Sequence, residues 1–231
     1  MLLYYITDRR QFPGTEGEQR LALLKKIGEA AAAGVDFIQL REKDLSSGEL
    51  ETLAREAWQA VRRSSLQTRL LINSRIDVAL AVGADGVHLT STDISASDAR
   101  AIWASSVRSE NSKNVTRNFV VGVSCHTPEE VRASESHGAD FSVLAPIFEK
   151  AGGSVPALGL NSLREAAFKD VPADRRIEAG DHRVGIPVLA LGGVTLERAL
   201  DCMQAGAAGI AAIRLFQEGD INKTVEVLSG L

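Results

Sequence analysis

Four stretches of this chain repeat one pattern: "AAGVDFIQL", "AVGADGVHL", "SHGADFSVL" and "QAGAAGIAAI". Each ends a helix in small residues, turns on a glycine, usually follows with Ala-Asp or Val-Asp, and continues into a short apolar run. Gly34, Gly83, Gly138 and Gly206 suit the left-handed backbone position after a helix, where a Cβ is penalised. The apolar runs lack a clean period of two, as expected of parallel strands covered on both faces. Between successive copies there is room for one further strand and two helices.

The remaining strands are predicted at 2–7, 69–73, 119–124 and 187–191. Helical patterns lie between them, among them "GEQRLALLKKIGEAAAA", "SGELETLAREAWQAVRR", "SRIDVALAV", "TPEEVRASES" and "TLERALDCMQA". Thr127-Pro128-Glu129-Glu130 is a strong helix start: a cap, a proline, then acids in the first turn. Eight strands alternating with helices in 231 residues predict an α/β fold, a (βα)8 TIM barrel forming a single domain over 1–231. Such barrels typically need about 250 residues. An open doubly wound sheet also alternates, but its strand count and helix placement vary more. The polar stretches 105–118 and 168–185 each precede a strand, so both are expected as exposed excursions at the end opposite the chemistry.

Composition excludes several classes. A net charge of −4 and a pI near 5.7 argue against a sequence-independent grip on nucleic acid. Cys125 and Cys202 cannot build a disulfide framework and suit a reducing compartment. "MLLYYITDRR" is charged too early for a signal peptide, and no apolar run reaches the roughly 18 residues of a membrane span. A cytoplasmic protein with no membrane partner is the expectation.

In a TIM barrel the residues trailing each strand line the C-terminal rim, where active sites form. Here those residues are polar: Asp8 and Arg9, then Gln39, Arg41 and Lys43, then Asn73, Ser74 and Arg75. His88 through Asp93, Ser124 and His126, Pro146 through Lys150, Gly192-Gly193 and Arg214 complete the ring. The stretch "FIQLREKD" is the most telling, because alternate residues at a strand end project to one side. Gln39, Arg41 and Lys43 then share a direction that suits a polyanion, while Glu42 faces away toward a neighbouring strand. The bland reading makes Arg41 and Lys43 solvated loop charges. "LGGV" (191–194) is weak alone, but loops after strands seven and eight commonly bind phosphate through backbone N–H groups. Arg214 either reinforces such a pocket or pairs with an acid. His126 is either an inert residue at a helix start or a chemical one. His88, within a strand pattern, reads as packed, and both cysteines read as structural.

"YYITD", "QLREKD", "LINSRIDVALAVGADGVHLTSTD", "GVSCHTPEEV", "LAPIFEK" and "LALGGVTLERALDCMQAGAAGIAAI" together resemble the thiamine phosphate synthase family, whose sister group is the thiazole tautomerases. The resemblance runs in order from about residue 3 to 216. It implies a transferase of thiamine biosynthesis that couples hydroxymethylpyrimidine diphosphate to thiazole phosphate and releases pyrophosphate. By matching motif positions it implies Gln39 on the pyrimidine; Arg41, Lys43 and Asn73 on the pyrophosphate; Ser124 on the diphosphate; and Asp93 on Mg2+. Gly192, Gly193 and the backbone around Ile213 would seat the thiazole phosphate, with Lys150 and Arg214 also at the substrates.

Three departures stand out. Ser74 replaces the usual second carboxylate, which implies weakened or absent magnesium. "FEKAGGSVPAL" lacks the Thr- and Lys-containing pattern of the loop after strand six, affecting 148–153, and Arg214 stands where a small residue is usual. "NSRID" and His126 lean toward a tautomerase-like isomerase using His126 for proton transfer, whereas Gln39 and Asp93 lean toward the synthase. A non-catalytic barrel that binds a phosphometabolite is the third reading. Barrels of this kind often pair, so a homodimer stays open, as does closure of the 146–159 loop over substrate.

Overall fold

The computed structural model describes residues 1–109, 119–149, 155–168 and 185–231. Eight parallel strands close into a barrel in chain order: β1 (Leu2–Ile6), β2 (Phe37–Leu40), β3 (Arg69–Asn73), β4 (Gly86–Leu89), β5 (Val120–Cys125), β6 (Phe141–Leu144), β7 (Val188–Ala190) and β8 (Gly209–Ala212). Closure is sealed by β8 pairing with β1, Ala211 beside Tyr4. The expected TIM barrel is what the chain forms.

The helices are α1 (Glu16–Ala33), α2 (Ser47–Ser64), α3 (Ile76–Val82), α4 (Ala96–Ser109), α5 (Pro128–Ser136), α6 (Gly159–Ala167), α7 (Leu196–Gln204), α8 (Arg214–Gln217) and α9 (Ile221–Ser229). α1 and α2 each start in a capping box, Thr15 with Glu18 and Ser46 with Glu49, so backbone N–H groups in the first turn of each helix are satisfied reciprocally. Thr127 caps α5 through the Glu130 N–H, with Pro128 in the first turn. Gly34, Gly83, Gly138 and Gly206 all have positive φ.

Two apolar layers follow from strand alternation. One face of the strands packs outward under the helices, with Leu3, Tyr5, Ile38, Leu40, Leu70 and Ile72 in a large cluster. The other face fills the barrel interior with Tyr4, Ile6, Leu71, Val120, Phe141, Val143, Leu189 and Ala211. Tyr4, Phe37 and Phe141 meet there edge-on and stacked, at centroid distances of 5.9, 5.3 and 5.0 Å. Burying such rings contributes more than area alone when they adopt these geometries. Gly122 is what makes room: a Cβ there would lie 2.4 Å from the Phe141 ring and 2.8 Å from His88 Nδ1.

Three expectations need correction. Residues 105–109 continue α4 and are not an excursion; the rest of the 105–118 stretch lies outside the described residues, as do 169–184. The helical pattern from Ser74 begins only at Ile76, because Ser74 has φ 59° and cannot be its first turn. His88 does not trail β4 but lies within it, buried. Among the described residues, no helix is long and apolar enough to cross a membrane.

Candidate active site

Parallel closure puts every strand's C-terminal end on one rim, and the candidate residues come together there in three groups. The first is built on "FIQLREKD". The Thr7 hydroxyl donates to Glu42 Oε1 at 2.6 Å and accepts the Arg41 N–H at 3.0 Å. Arg9 is buried and donates through its backbone N–H to both Glu42 oxygens, at 3.2 and 3.1 Å. Its guanidinium reaches Glu42 at 3.1 Å and Asp44 at 2.8 and 2.7 Å. The Arg9 hydrogen bond holds the Asp44 carboxyl below its usual range. Glu42 therefore does face away from the mouth, clamping the β2 end to the β1 end. Arg9, expected at the site, is structural. Arg41 and Lys43 form no ion pair among the described residues, so the clamp presents two uncompensated cations.

The second group crosses the barrel interior. Gln39 Nε2 donates to the Tyr4 hydroxyl at 2.9 Å, Tyr4 Oη lies 3.0 Å from His88 Nδ1, and His88 Nε2 lies 2.8 Å from Ser124 Oγ. Burial pushes the His88 pKa down to about 3, with Asp93 raising it and Arg41 lowering it further. A fully buried imidazolium would lack a paired counter-charge, so His88 is neutral. Gln39 and Ser124, two expected substrate contacts, are thus joined by two residues that were not. Beside this row, Asn73 Nδ2 donates to Ser74 Oγ at 3.1 Å, and Ser74 donates to Asp93 Oδ2 at 2.7 Å. The Thr90 N–H reaches that same carboxylate oxygen at 2.7 Å.

The third group lies after β7 and β8. An open cavity of about 1080 Å3 is lined by Gly192, Gly193, Ile213 and Arg214, with Arg198 and Glu149 at its walls. Gly192 and Gly193 have φ 96° and 64°. A Cβ on either would come within 2.8 Å of the 146–149 segment, so both glycines are demanded by the turn and by close packing. Neither N–H finds an acceptor among the described residues. Arg198 donates to the Gly193 carbonyl at 3.0 Å and stacks over Phe148 at 4.8 Å. Nothing in the α7 pattern "TLERALDCMQA" marked this arginine as a wall of the pocket. Arg214 is exposed, lines this cavity and pairs with no acid among the described residues.

His126 is exposed, with Nδ1 2.9 Å from the Ala145 carbonyl and its N–H on Glu130. The carbonyl can only accept, so Nδ1 carries a proton and donates it there. No hydrogen bond joins His126 to the Gln39–Ser124 row among the described residues. Lys150 and most of the 148–153 loop lie outside the described residues. Cys125 and Cys202 are buried, and burial raises both thiols, the latter to about 12, as befits structural cysteines.

A profile of the thiamine monophosphate synthase family matches residues 3–216. A putative thiamine-phosphate synthase 2 of Aquifex aeolicus is 39% identical over 217 residues, covering 94% of this chain and 97% of that one. The thiamine-phosphate synthase of Methanospirillum hungatei is 34% identical over 218 residues, covering 91% and 87%. Among solved structures, thiamine phosphate pyrophosphorylase from Pyrococcus furiosus superposes with a TM-score of 0.74 at 28% identity, covering 99% of this chain and 94% of that one. This chain belongs to the thiamine monophosphate synthase family.

Proposed function

We propose that the chain is a thiamine phosphate synthase, coupling hydroxymethylpyrimidine diphosphate to thiazole phosphate with release of pyrophosphate. The carrying observation is the pairing, on one barrel rim, of Arg41 and Lys43, which have no ion-pair partner among the described residues, with the N–H groups of Gly192 and Gly193, which have no acceptor among them. That arrangement offers two separate anion seats facing one mouth, which a coupling of two phosphorylated substrates requires. The relatives described above carry the synthase name, which favours this reading over the tautomerase and non-catalytic ones.

In the reaction, the bond between the pyrimidine's methylene carbon and the diphosphate oxygen breaks, and its electron pair leaves with pyrophosphate. The lone pair of the thiazole nitrogen then closes the new C–N bond. The chain's part is positioning and charge stabilisation. Arg41 and Lys43 meet the negative charge that grows on the leaving group; Ser124 and Asn73 donate hydrogen bonds to it. Gln39 orients the pyrimidine, and the Gly192-Gly193 turn with Ile213 and Arg214 holds the thiazole phosphate.

Magnesium fits this site in a limited way. Asp93 Oδ2 is occupied by Ser74 and Thr90, and Oδ1 accepts no hydrogen bond among the described residues. No cluster of three metal-ligating side chains exists among those residues. One carboxylate oxygen plus substrate phosphate oxygens is a donor set that magnesium accepts. Asp93 would hold the ion, which supplies further neutralisation of the diphosphate.

The purified protein given both substrates and magnesium is expected to form thiamine phosphate and pyrophosphate in equal amounts. Binding of both substrates without either product would contradict the synthase reading.

A further inference from the structure

The row of hydrogen bonds through the barrel interior has a direction, and the direction follows from counting protons. Gln39, Tyr4 and His88 come from β2, β1 and β4, and all three are at most 2% exposed, so the bonds among them are shielded from water. The Gln39 amide nitrogen can only donate, and it donates to Tyr4 Oη. Tyr4 has one hydrogen left to give, and the acceptor within reach is His88 Nδ1 at 3.0 Å. A neutral imidazole whose Nδ1 accepts carries its proton on Nε2. That Nε2–H is then donated to Ser124 Oγ at 2.8 Å. Ser124 makes no other side-chain hydrogen bond among the described residues and is only half-buried. Its oxygen is engaged from within, and its own hydrogen is free to point into the mouth.

We infer that Tyr4 and His88 are positioning residues which commit the Ser124 hydroxyl to donating toward an anionic oxygen of the diphosphate. The opposite polarity would have Ser124 donate inward to His88, turning oxygen lone pairs toward the ligand's negative charge. The same row sets Gln39 with its NH2 inward, leaving the amide oxygen as the acceptor for the pyrimidine. Burial that keeps the imidazole neutral serves this purpose, since an imidazolium would donate at both nitrogens and leave the Tyr4 hydroxyl hydrogen without its acceptor. The charged groups acting on His88 are Asp93 and Arg41, and the titratable group in contact is the Tyr4 phenol, whose pKa burial raises well above its ordinary value. Neither Tyr4 nor His88 touches substrate in this scheme; both act through Ser124 and Gln39.

The inference rests on the synthase reading, and two measurements on the full chain separate their failures. In histidine-selective 15N spectra, His88 is expected as the Nε2–H tautomer, unchanged from about pH 5 to 8. An Nδ1–H tautomer, or titration near the ordinary histidine value, would overturn the inference. In calorimetric titrations with pyrophosphate and magnesium, Tyr4→Phe is expected to weaken binding about fivefold, the size of one hydrogen bond lost or misdirected. In a Ser124→Ala background the same substitution is expected to change almost nothing, because its effect passes through Ser124. Equal weakening in both backgrounds would mean a merely structural role and sink the proposal, as would a neutral Tyr4→Phe. Failure of the wild-type chain to bind pyrophosphate would instead contradict the synthase reading. Should Tyr4→Phe not fold, the tautomer of the wild-type His88 decides alone.

Discussion

Ser74 sits at φ 59° and gives its hydroxyl hydrogen to Oδ2 of Asp93 at 2.7 Å. This contact occupies half of the carboxylate on which a metal would depend and supplies no second negative charge. Asp is among the few residues that tolerate this backbone region. Ser74→Asp is therefore expected to lower the magnesium concentration for half-maximal pyrophosphate binding by about tenfold, since affinity for this ion follows ligand charge. Calorimetry with pyrophosphate present reads it. An unchanged requirement would mean that residue 74 does not face the ion.

Arg41 is held by its backbone to Thr7, so its side chain can be removed without loosening the β2 end. Arg41→Ala should weaken pyrimidine diphosphate binding by about 2 kcal/mol or more, the order of a charge-assisted contact. Binding of thiazole phosphate should shift by less than about 0.5 kcal/mol, as for distant independent sites. Equal losses for both ligands would show that the two anion seats are not separate.

Arg9 and Glu42 are buried together, with side chains 6% and 1% exposed. Removing one partner strands the other charge, so Arg9→Ala should cost about 3 kcal/mol or more in denaturant unfolding. Adding Glu42→Leu to that variant should recover part of the loss, because no unpaired carboxylate then remains in the interior. If the double variant is less stable than the single one, the clamp acts through packing and not through charge.

His88 gives the fold a pH signature. Its folded pKa, about 3, is below the unfolded value near 6.5. The unfolded chain binds the extra proton, so this contribution is present above pH 6.5 and is lost as pH falls toward the folded pKa. Between pH 6.5 and 5, where carboxylates stay largely ionised, wild-type stability should fall by roughly 1.5 kcal/mol more than that of His88→Gln. Parallel slopes for the two proteins would show that His88 is not buried neutral.

Much of this is legible in the order of the amino acids alone. The glycines after α1, α3, α5 and α7, all at positive φ, mark the strands β2, β4, β6 and β8 that follow, because that backbone conformation ends a helix most readily without a Cβ. Alternation beyond β2 correctly sends Glu42 away from Arg41. What the residues do not disclose is long-range pairing. Arg9 looks like a rim cation because nothing local shows that Glu42 and Asp44, more than thirty positions on, take its charge. Tyr4 reads as an ordinary core aromatic; its role depends on His88 arriving across the barrel, in space left by Gly122. Arg198 sits in a charged helical turn that any solvated helix could carry, and only the fold brings it over Phe148.

The most direct test is a crystal structure of the chain soaked with thiamine phosphate, pyrophosphate and magnesium. Expected is one occupied mouth, with pyrophosphate on Arg41, Lys43 and Ser124 and the phosphate monoester on the Gly192 and Gly193 amides beside Ile213. Pyrophosphate bound away from Arg41, or the monoester bound away from the glycine turn, would contradict the two-seat site.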